Sequence, residues 1–182
     1  MIRLFFLRFS SFIFVGLLIL PTLGLAEKAD KDKPIALSSD KAQFDDVKQI
    51  YYLEKNVLLI KGTLMIRGEK AEVKIDPEGY QFATIQALPG QLASLRQKRD
   101  TGLASFVEGH AELIEYDAKT ETAVLTGRAR MNQLDGTKVS DQVQGDKIHY
   151  DGNTEKYTAA SKATVKTTLS PRRKELPGNL KP

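Results

Sequence analysis

The sequence predicts an all-β domain of antiparallel strands, and three observations carry that prediction. First, one phrase recurs. It reads Gly109-His110-Ala111-Glu112-Leu113-Ile114-Glu115-Tyr116-Asp117, then Gly145-Asp146-Lys147-Ile148-His149-Tyr150-Asp151. Earlier copies are Gly68-Glu69-Lys70-Ala71-Glu72-Val73-Lys74-Ile75-Asp76 and Ser39-Asp40-Lys41-Ala42-Gln43-Phe44-Asp45. Second, side chains alternate within each copy. A strand's side chains point to alternate faces, so Ala42 and Phe44 share a face, as do Val73 and Ile75, Ile114 and Tyr116, and Ile148 and Tyr150. Each copy closes on an Asp, whose carboxylate bonds nearby backbone and favours a turn. Third, nothing after residue 26 shows a capped 3.6-residue period. The copies start 29, 41 and 36 residues apart, which is too irregular for a strict repeat array.

The chain begins with a segment that reads as a secretory signal. Arg3 and Arg8 give a positive start, Phe9 to Leu20 is almost wholly apolar, and Pro21 interrupts any helix. Gly24-Leu25-Ala26 carries the small residues a signal peptidase reads, so cleavage is expected after Ala26. Residues 4–20 are short for a bilayer span. An uncleaved anchor is the alternative, and either way the domain is exported. Residues 27–33 are charged and aperiodic and read as a flexible lead. The folded domain is expected over 34–169, and 170–182, with Pro, Gly and basic residues, reads as a flexible tail.

Within the domain, Pro34 suits the start of an edge strand with Ile35 and Leu37 on one face. Gln49–Glu54 and Asn56–Lys61 read as two strands. Gly62-Thr63 turns the chain, and Leu64 and Ile66 lead into the second copy of the phrase. Asp76-Pro77-Glu78-Gly79 and Pro89-Gly90 are turns. Leu92–Gln97 reads as a strand and Arg96–Gly102 as a basic loop. Ala123–Thr126 is a short strand, continued by Gly127–Gln133. Leu134–Gln142 reads as a looser excursion, and Glu155–Leu169 as the last extended stretch.

Composition narrows the chemistry. The 182 residues contain no cysteine, which excludes disulfides, thiol catalysis and Cys-based zinc sites. The formal charge of +4 falls to +2 without Arg3 and Arg8. That is too mild for a nucleic-acid binder, which concentrates its basic charge on one face. His110 and His149 occupy different places in the phrase and do not converge as metal ligands must. The repeated Asp45, Asp76, Asp117 and Asp151 are explained by turn chemistry without an acid–base pair. No nucleophile elbow or phosphate-binding glycine loop is present. The Arg96/Lys98/Arg99 cluster and Arg172-Arg173-Lys174 read as solvated, with anionic phosphates of a lipid or membrane as the alternative partner. The apolar faces either pack sheet on sheet or leave an interior open to acyl chains.

An ordered set of short motifs goes further. Phe106-Val107-Glu108-Gly109-His110-Ala111, Tyr116, Val124-Leu125-Thr126-Gly127 with Ala129, and Gln144-Gly145-Asp146-Lys147-Ile148-His149-Tyr150 closely resemble the LptA (OstA-like) family of lipopolysaccharide transport proteins. Pro34 to Asp40, Asn56-Val57 and Lys61 to Ile66 extend the resemblance over roughly residues 34–169.

The resemblance implies a twisted, partly open β-jellyroll with an apolar groove for lipid A. It implies a non-enzymatic periplasmic carrier that needs no cofactor and bridges inner- and outer-membrane complexes. The implied partners are lipopolysaccharide, an LptC-like inner-membrane protein, an LptD-like outer-membrane protein and further copies joined head to tail. The groove is expected to draw on Ile35, Leu37, Phe44, Val73, Ile75, Leu95, Ile114, Tyr116, Ile148 and Tyr150. Glu54-Lys55-Asn56-Val57 lacks the glycine the family often places before Asn, and Ile85–Gly102 is longer than usual. Two other readings remain open: an LptC-like jellyroll held by an uncleaved 1–26 segment, and a polysaccharide-active enzyme using Asp117 and Asp151.

Overall fold

The computed structural model describes residues 33–101 and 104–171. The expected signal segment, residues 27–32 of the lead and residues 172–182 of the tail lie outside the described residues. Twelve strands follow in order: β1 (Ile35–Ser38), β2 (Lys41–Asp45), β3 (Ile50–Lys61), β4 (Leu64–Ile75), β5 (Gln81–Gln86) and β6 (Ala93–Lys98). The rest are β7 (Ser105–Ala111), β8 (Leu113–Asp117), β9 (Thr122–Asp135), β10 (Lys138–Asp151), β11 (Lys156–Ala160) and β12 (Lys166–Leu169). All pairings are antiparallel.

The architecture follows from four long strands that bend. β3, β4, β9 and β10 each pair with one set of neighbours along one half and another set along the other. The upper half-sheet therefore runs β2–β3–β4–β5–β8–β9–β10–β11. The lower runs β1–β3–β4–β6–β7–β9–β10–β12. The two pack face to face as a jellyroll.

The bends are written in backbone. The β3–β4 register shifts between Glu54 and Val57, where Lys55 and Asn56 adopt φ of 63° and 50°. The family's usual glycine is absent here, and these two side chains take the left-handed turn instead. In β9 the bend falls at Gly127, φ 81°, and Arg128, φ 48°. In β10 the register shifts between Gly145 and Lys147.

The recurring phrase now has a structural meaning: the alternating part of each copy lies in the upper half-sheet, and the third copy in the chain starts in β7 of the lower half before crossing at Glu112. The upper-half strands of the four copies are β2, the second half of β4, β8 and the second half of β10. Each ends in a turn closed by its Asp. Asp45 accepts from Lys48 N at 3.0 Å, and Asp76 from Glu78 N and Tyr80 N at 2.9 Å each. Asp117 accepts from Lys119 N at 2.8 Å, and Asp151 from Asn153 N at 2.9 Å.

Several elements differ from the sequence expectations. Residues 50–61 form one bent strand, not two. β5 was hidden because Gln81–Gln86 mixes polar and apolar residues without a clean alternation. Arg96 and Lys98 belong to β6, so the basic loop starts later. Residues 138–142 are strand, because Asp135–Lys138 is a tight hairpin between β9 and β10. The final stretch divides into β11 and β12, one in each half-sheet.

The core lies between the halves and is built from cross-strand ladders. In the upper half one ladder runs Leu53–Ala71–Ile85–Ile114–Leu125–Ile148. In the lower half another runs Leu37–Leu59–Ile66–Leu95–Gly109–Met131–Val143. Leu59, Ile66, Ile85, Leu95, Ile114, Leu125 and Ile148 are completely buried. Gly109 permits this contact: a Cβ there would stand 2.6 Å from Leu125 Cδ2 and 2.8 Å from Met131 Sδ.

Candidate lipid-binding cavity

At the β1/β2 end the halves diverge and leave an open cavity of about 650 Å3. β1 and its lead contribute Lys33, Pro34, Ile35 and Leu37 from below. The upper half contributes Tyr51, Val73, Ile75, Tyr80, Gln81 and Ala118, and Lys61 stands at the inner limit. The position follows from the strand plan. Among the described residues β1 and β2 pair only with β3, so no further described strand closes this end. Phe44 stacks on Tyr51 with ring centroids 4.3 Å apart, extending the apolar surface outward along β2.

The residues expected to line a groove divide into three groups. Ile35, Leu37, Val73 and Ile75 line the cavity. Phe44 lies outside it and is 42% exposed, because no strand lies beyond β2 to cover it. Leu95, Ile114, Tyr116, Ile148 and Tyr150 are sealed between the half-sheets. In this conformation the apolar interior is thus open at one end and packed in the middle, not a trough along its length.

Sequence reasoning missed the polar limit of the cavity. Lys61, 4% exposed, forms an ion pair with Glu121, and Tyr116 donates its hydroxyl to Glu121 at 2.8 Å. Lys61 lies on the lower half and Glu121 in the β8–β9 turn of the upper, so the pair joins the halves. A second such pair lies farther along. Arg99 donates from Nε and Nη2 to Glu155 Oε2 at 2.8 and 2.6 Å, and Asp100 N donates to Glu155 Oε1 at 2.9 Å. Arg99 is therefore largely buried and paired, not solvated as its basic neighbourhood implied. Nothing local in sequence marks either pair, because the partners are 60 and 56 residues apart.

Charge at the rim is arranged differently. Lys119 lies over the Tyr80 ring at 5.0 Å and pairs with Glu78 at 2.6 Å. The Glu78 hydrogen bond raises the Lys119 pKa, keeping a cation at the mouth. His110 and His149 belong to different half-sheets. His110 lies 3.4 Å from Glu108, which also pairs with Arg96. A second cleft, of about 400 Å3, is lined by Arg128, Arg130, Asp146 and Lys166 together with Leu92 and Ala129.

Comparison with known proteins agrees with this architecture. Residues 36–156 match the family model described as LptA/(LptD N-terminal domain) LPS transport protein. The lipopolysaccharide export system protein LptA of Escherichia coli K12 is 32% identical over 127 residues, 70% of this chain and 64% of that protein. The chain thus spans just under two thirds of that relative's length. LptA of Haemophilus influenzae is 27% identical over 166 residues, 89% of this chain and 92% of its own. The crystal structure of LptH from Pseudomonas aeruginosa superposes with a TM-score of 0.69 at 20% identity, covering 78% of this chain and 99% of that one. LptH is described there as the LptA-homologous periplasmic component of the lipopolysaccharide transport device, and the likeness carries the jellyroll fold. With two thirds of its length matched by the family model, from β1 to the start of β11, the chain belongs to the LptA/(LptD N-terminal domain) LPS transport protein family.

Proposed function

We propose that this protein is a non-enzymatic periplasmic carrier of lipopolysaccharide that shields acyl chains of lipid A in the cavity at the β1/β2 end. The observation that carries the reading is that cavity: an apolar opening between half-sheets in a chain of this family. Burying a methylene is worth about 0.8 kcal/mol, so several acyl chains cannot cross water unprotected. A volume of about 650 Å3 is of ligand size and holds part of such a lipid. The remaining chains call on the deeper ladder residues Leu95, Ile114, Tyr116, Ile148 and Tyr150.

The same reading assigns the ends to assembly. β1 and β2 at one end, and β11 and β12 at the other, each pair on one side only among the described residues. Strand addition there would join further copies head to tail, and LptC-like and LptD-like jellyrolls at the two membranes. Export would follow cleavage after Ala26, and N-terminal sequencing of protein from cells should begin at Glu27. Retention of Met1 would favour the anchored alternative.

Photo-crosslinking tests the cavity. A photoreactive residue at Ile35 or Leu37 should capture lipopolysaccharide in cells, and one at outward-facing Glu115 should not. Equal capture at all three positions, or none at Ile35 and Leu37, would refute the cavity as the lipid site.

A further inference from the structure

We propose that the ion pairs Lys61–Glu121 and Arg99–Glu155 gate the admission of acyl chains to the sealed part of the interior. The inference rests on the carrier reading above and adds the residues that control it.

The chain path carries the argument. Among the described residues every covalent passage between the half-sheets lies along one margin. These passages are the β1–β2 link at 39–40, the bends in β3, β4, β9 and β10, the 87–92 segment, Glu112 and the 161–165 segment. Along the opposite margin each turn returns within its own half-sheet. The 46–49, 76–80, 118–121 and 152–155 turns stay above, and the 62–63 and 136–137 turns stay below. One margin is therefore a hinge and the other a seam that no strand of the described residues crosses, held by hydrogen bonds and ion pairs that involve side chains. The two ion pairs lie on that seam, together with Gln133 Nε2 donating to Tyr157 Oη at 3.4 Å.

The first pair also stands at the cavity, which Lys61 lines, and the second lies farther along the seam. Ile35 pairs across the sheet with Lys61, so the apolar floor of the cavity runs directly into the first ion pair. Beyond it lie Val107 and Leu95, both at most 1% exposed, and Leu95 stands on the ladder that starts from Leu37 in the cavity. Separating a largely buried ion pair costs little when both ions regain water, because their desolvation already offset much of their attraction. Parting the apolar faces is costly unless something apolar replaces the contact, and acyl chains do. Charged groups at the lip and apolar ladders behind it thus make an opening that lipid stabilises and water alone does not.

The natural absence of cysteine makes the test clean. Without lipid, Val107→Cys reports on the seam side and Ile85→Cys on the hinge side, each labelled with a small methanethiosulfonate. Adding Glu121→Gln and Glu155→Gln should speed labelling at Val107→Cys about tenfold and at Ile85→Cys less than twofold. Equal acceleration at both positions means global loosening and overturns the gate, as does no acceleration. With lipid, an Arg99→Cys/Glu155→Cys pair tied by a short cleavable bis-thiol reagent should take up fluorescent lipopolysaccharide at least tenfold more slowly, and recover when the tie is cut. Undiminished uptake by the tied protein overturns the gate and leaves the carrier reading intact. A parent chain that takes up no lipopolysaccharide overturns the carrier reading and the gate with it.

Discussion

Lys61 shows what single residues decide in this protein. Replacing it with Met removes a cation but leaves Glu121, 11% exposed, without its counter-charge. Stranding one partner of a buried pair typically costs about 3 kcal/mol or more. Lys61→Met should therefore lower urea-unfolding stability by about 3 kcal/mol, whereas Lys61→Met with Glu121→Leu should recover at least half of it. A double variant as unstable as the single would show that the pair is not the source of the loss. Gly109→Ala probes a different constraint. Its Cβ would press on Leu125 and Met131 in a filled core, and overpacking costs about 1–3 kcal/mol. An unfolding midpoint unchanged by Gly109→Ala would mean that Leu125 and Met131 can give way around position 109 at no cost. The four turn-forming aspartates were legible in sequence because an Asx turn is local: carboxylate and donor backbone N–H lie two to four residues apart. Glu121 and Glu155 were not legible, because each is given its role by a residue from a distant strand.

At the scale of elements, alternation located the strands, but bends and hairpins escaped it. Residues 50–61 look like two strands because Lys55 and Asn56 break the apolar pattern, yet the chain bends there without ending the strand. Residues 138–142 look like a loop because Val139-Ser140-Asp141-Gln142 is polar, although Asp141 is 5% exposed and its carboxylate accepts from Ser170 N at 3.2 Å. The segment between β11 and β12 is held in a similar way. Asp146 accepts from Lys162 N at 2.6 Å and Ser161 Oγ at 3.1 Å. The Lys162 backbone bond, then the Ser161 hydroxyl, hold its pKa below the ordinary aspartate value. A carboxylate with a depressed folded-state pKa stabilises the fold above its unfolded pKa, and that contribution is lost as pH falls through the folded pKa. Acidification to below the ordinary aspartate range should therefore increase amide exchange at 161–163, after correction for the intrinsic rate. Asp146→Asn should show the faster exchange at neutral pH and lose the pH dependence. Exchange in that segment indifferent to both pH and Asp146→Asn would remove the anchor.

The described residues form two facing half-sheets, each eight strands across and about 34 Å from first to last strand axis. The apolar interior and the all-β plan were legible because each follows from a period-2 pattern. The division of that interior into an open end and a packed middle was not. A ladder residue facing a cavity and one facing another sheet have the same alternation, so Leu37 and Leu95 read alike although one lines the opening and the other is sealed. What separates them is position in the strand order, which only the pairing reveals. That order also leaves both ends unfinished. A backbone donor or acceptor on an outer strand is satisfied by water until another strand replaces it. Pairing of a β1/β2 end with a β11/β12 end is heterologous, so each addition regenerates the same free ends. Sedimentation equilibrium at rising concentration should accordingly fit an open series of monomer, dimer, trimer and beyond, with one association constant per step. Main-chain pairing should also make that constant change less than about threefold between 50 and 500 mM salt, since surface ion pairs contribute little and are screened. A discrete dimer that stops growing would show instead that the ends meet as like with like, and would overturn the proposed head-to-tail bridge.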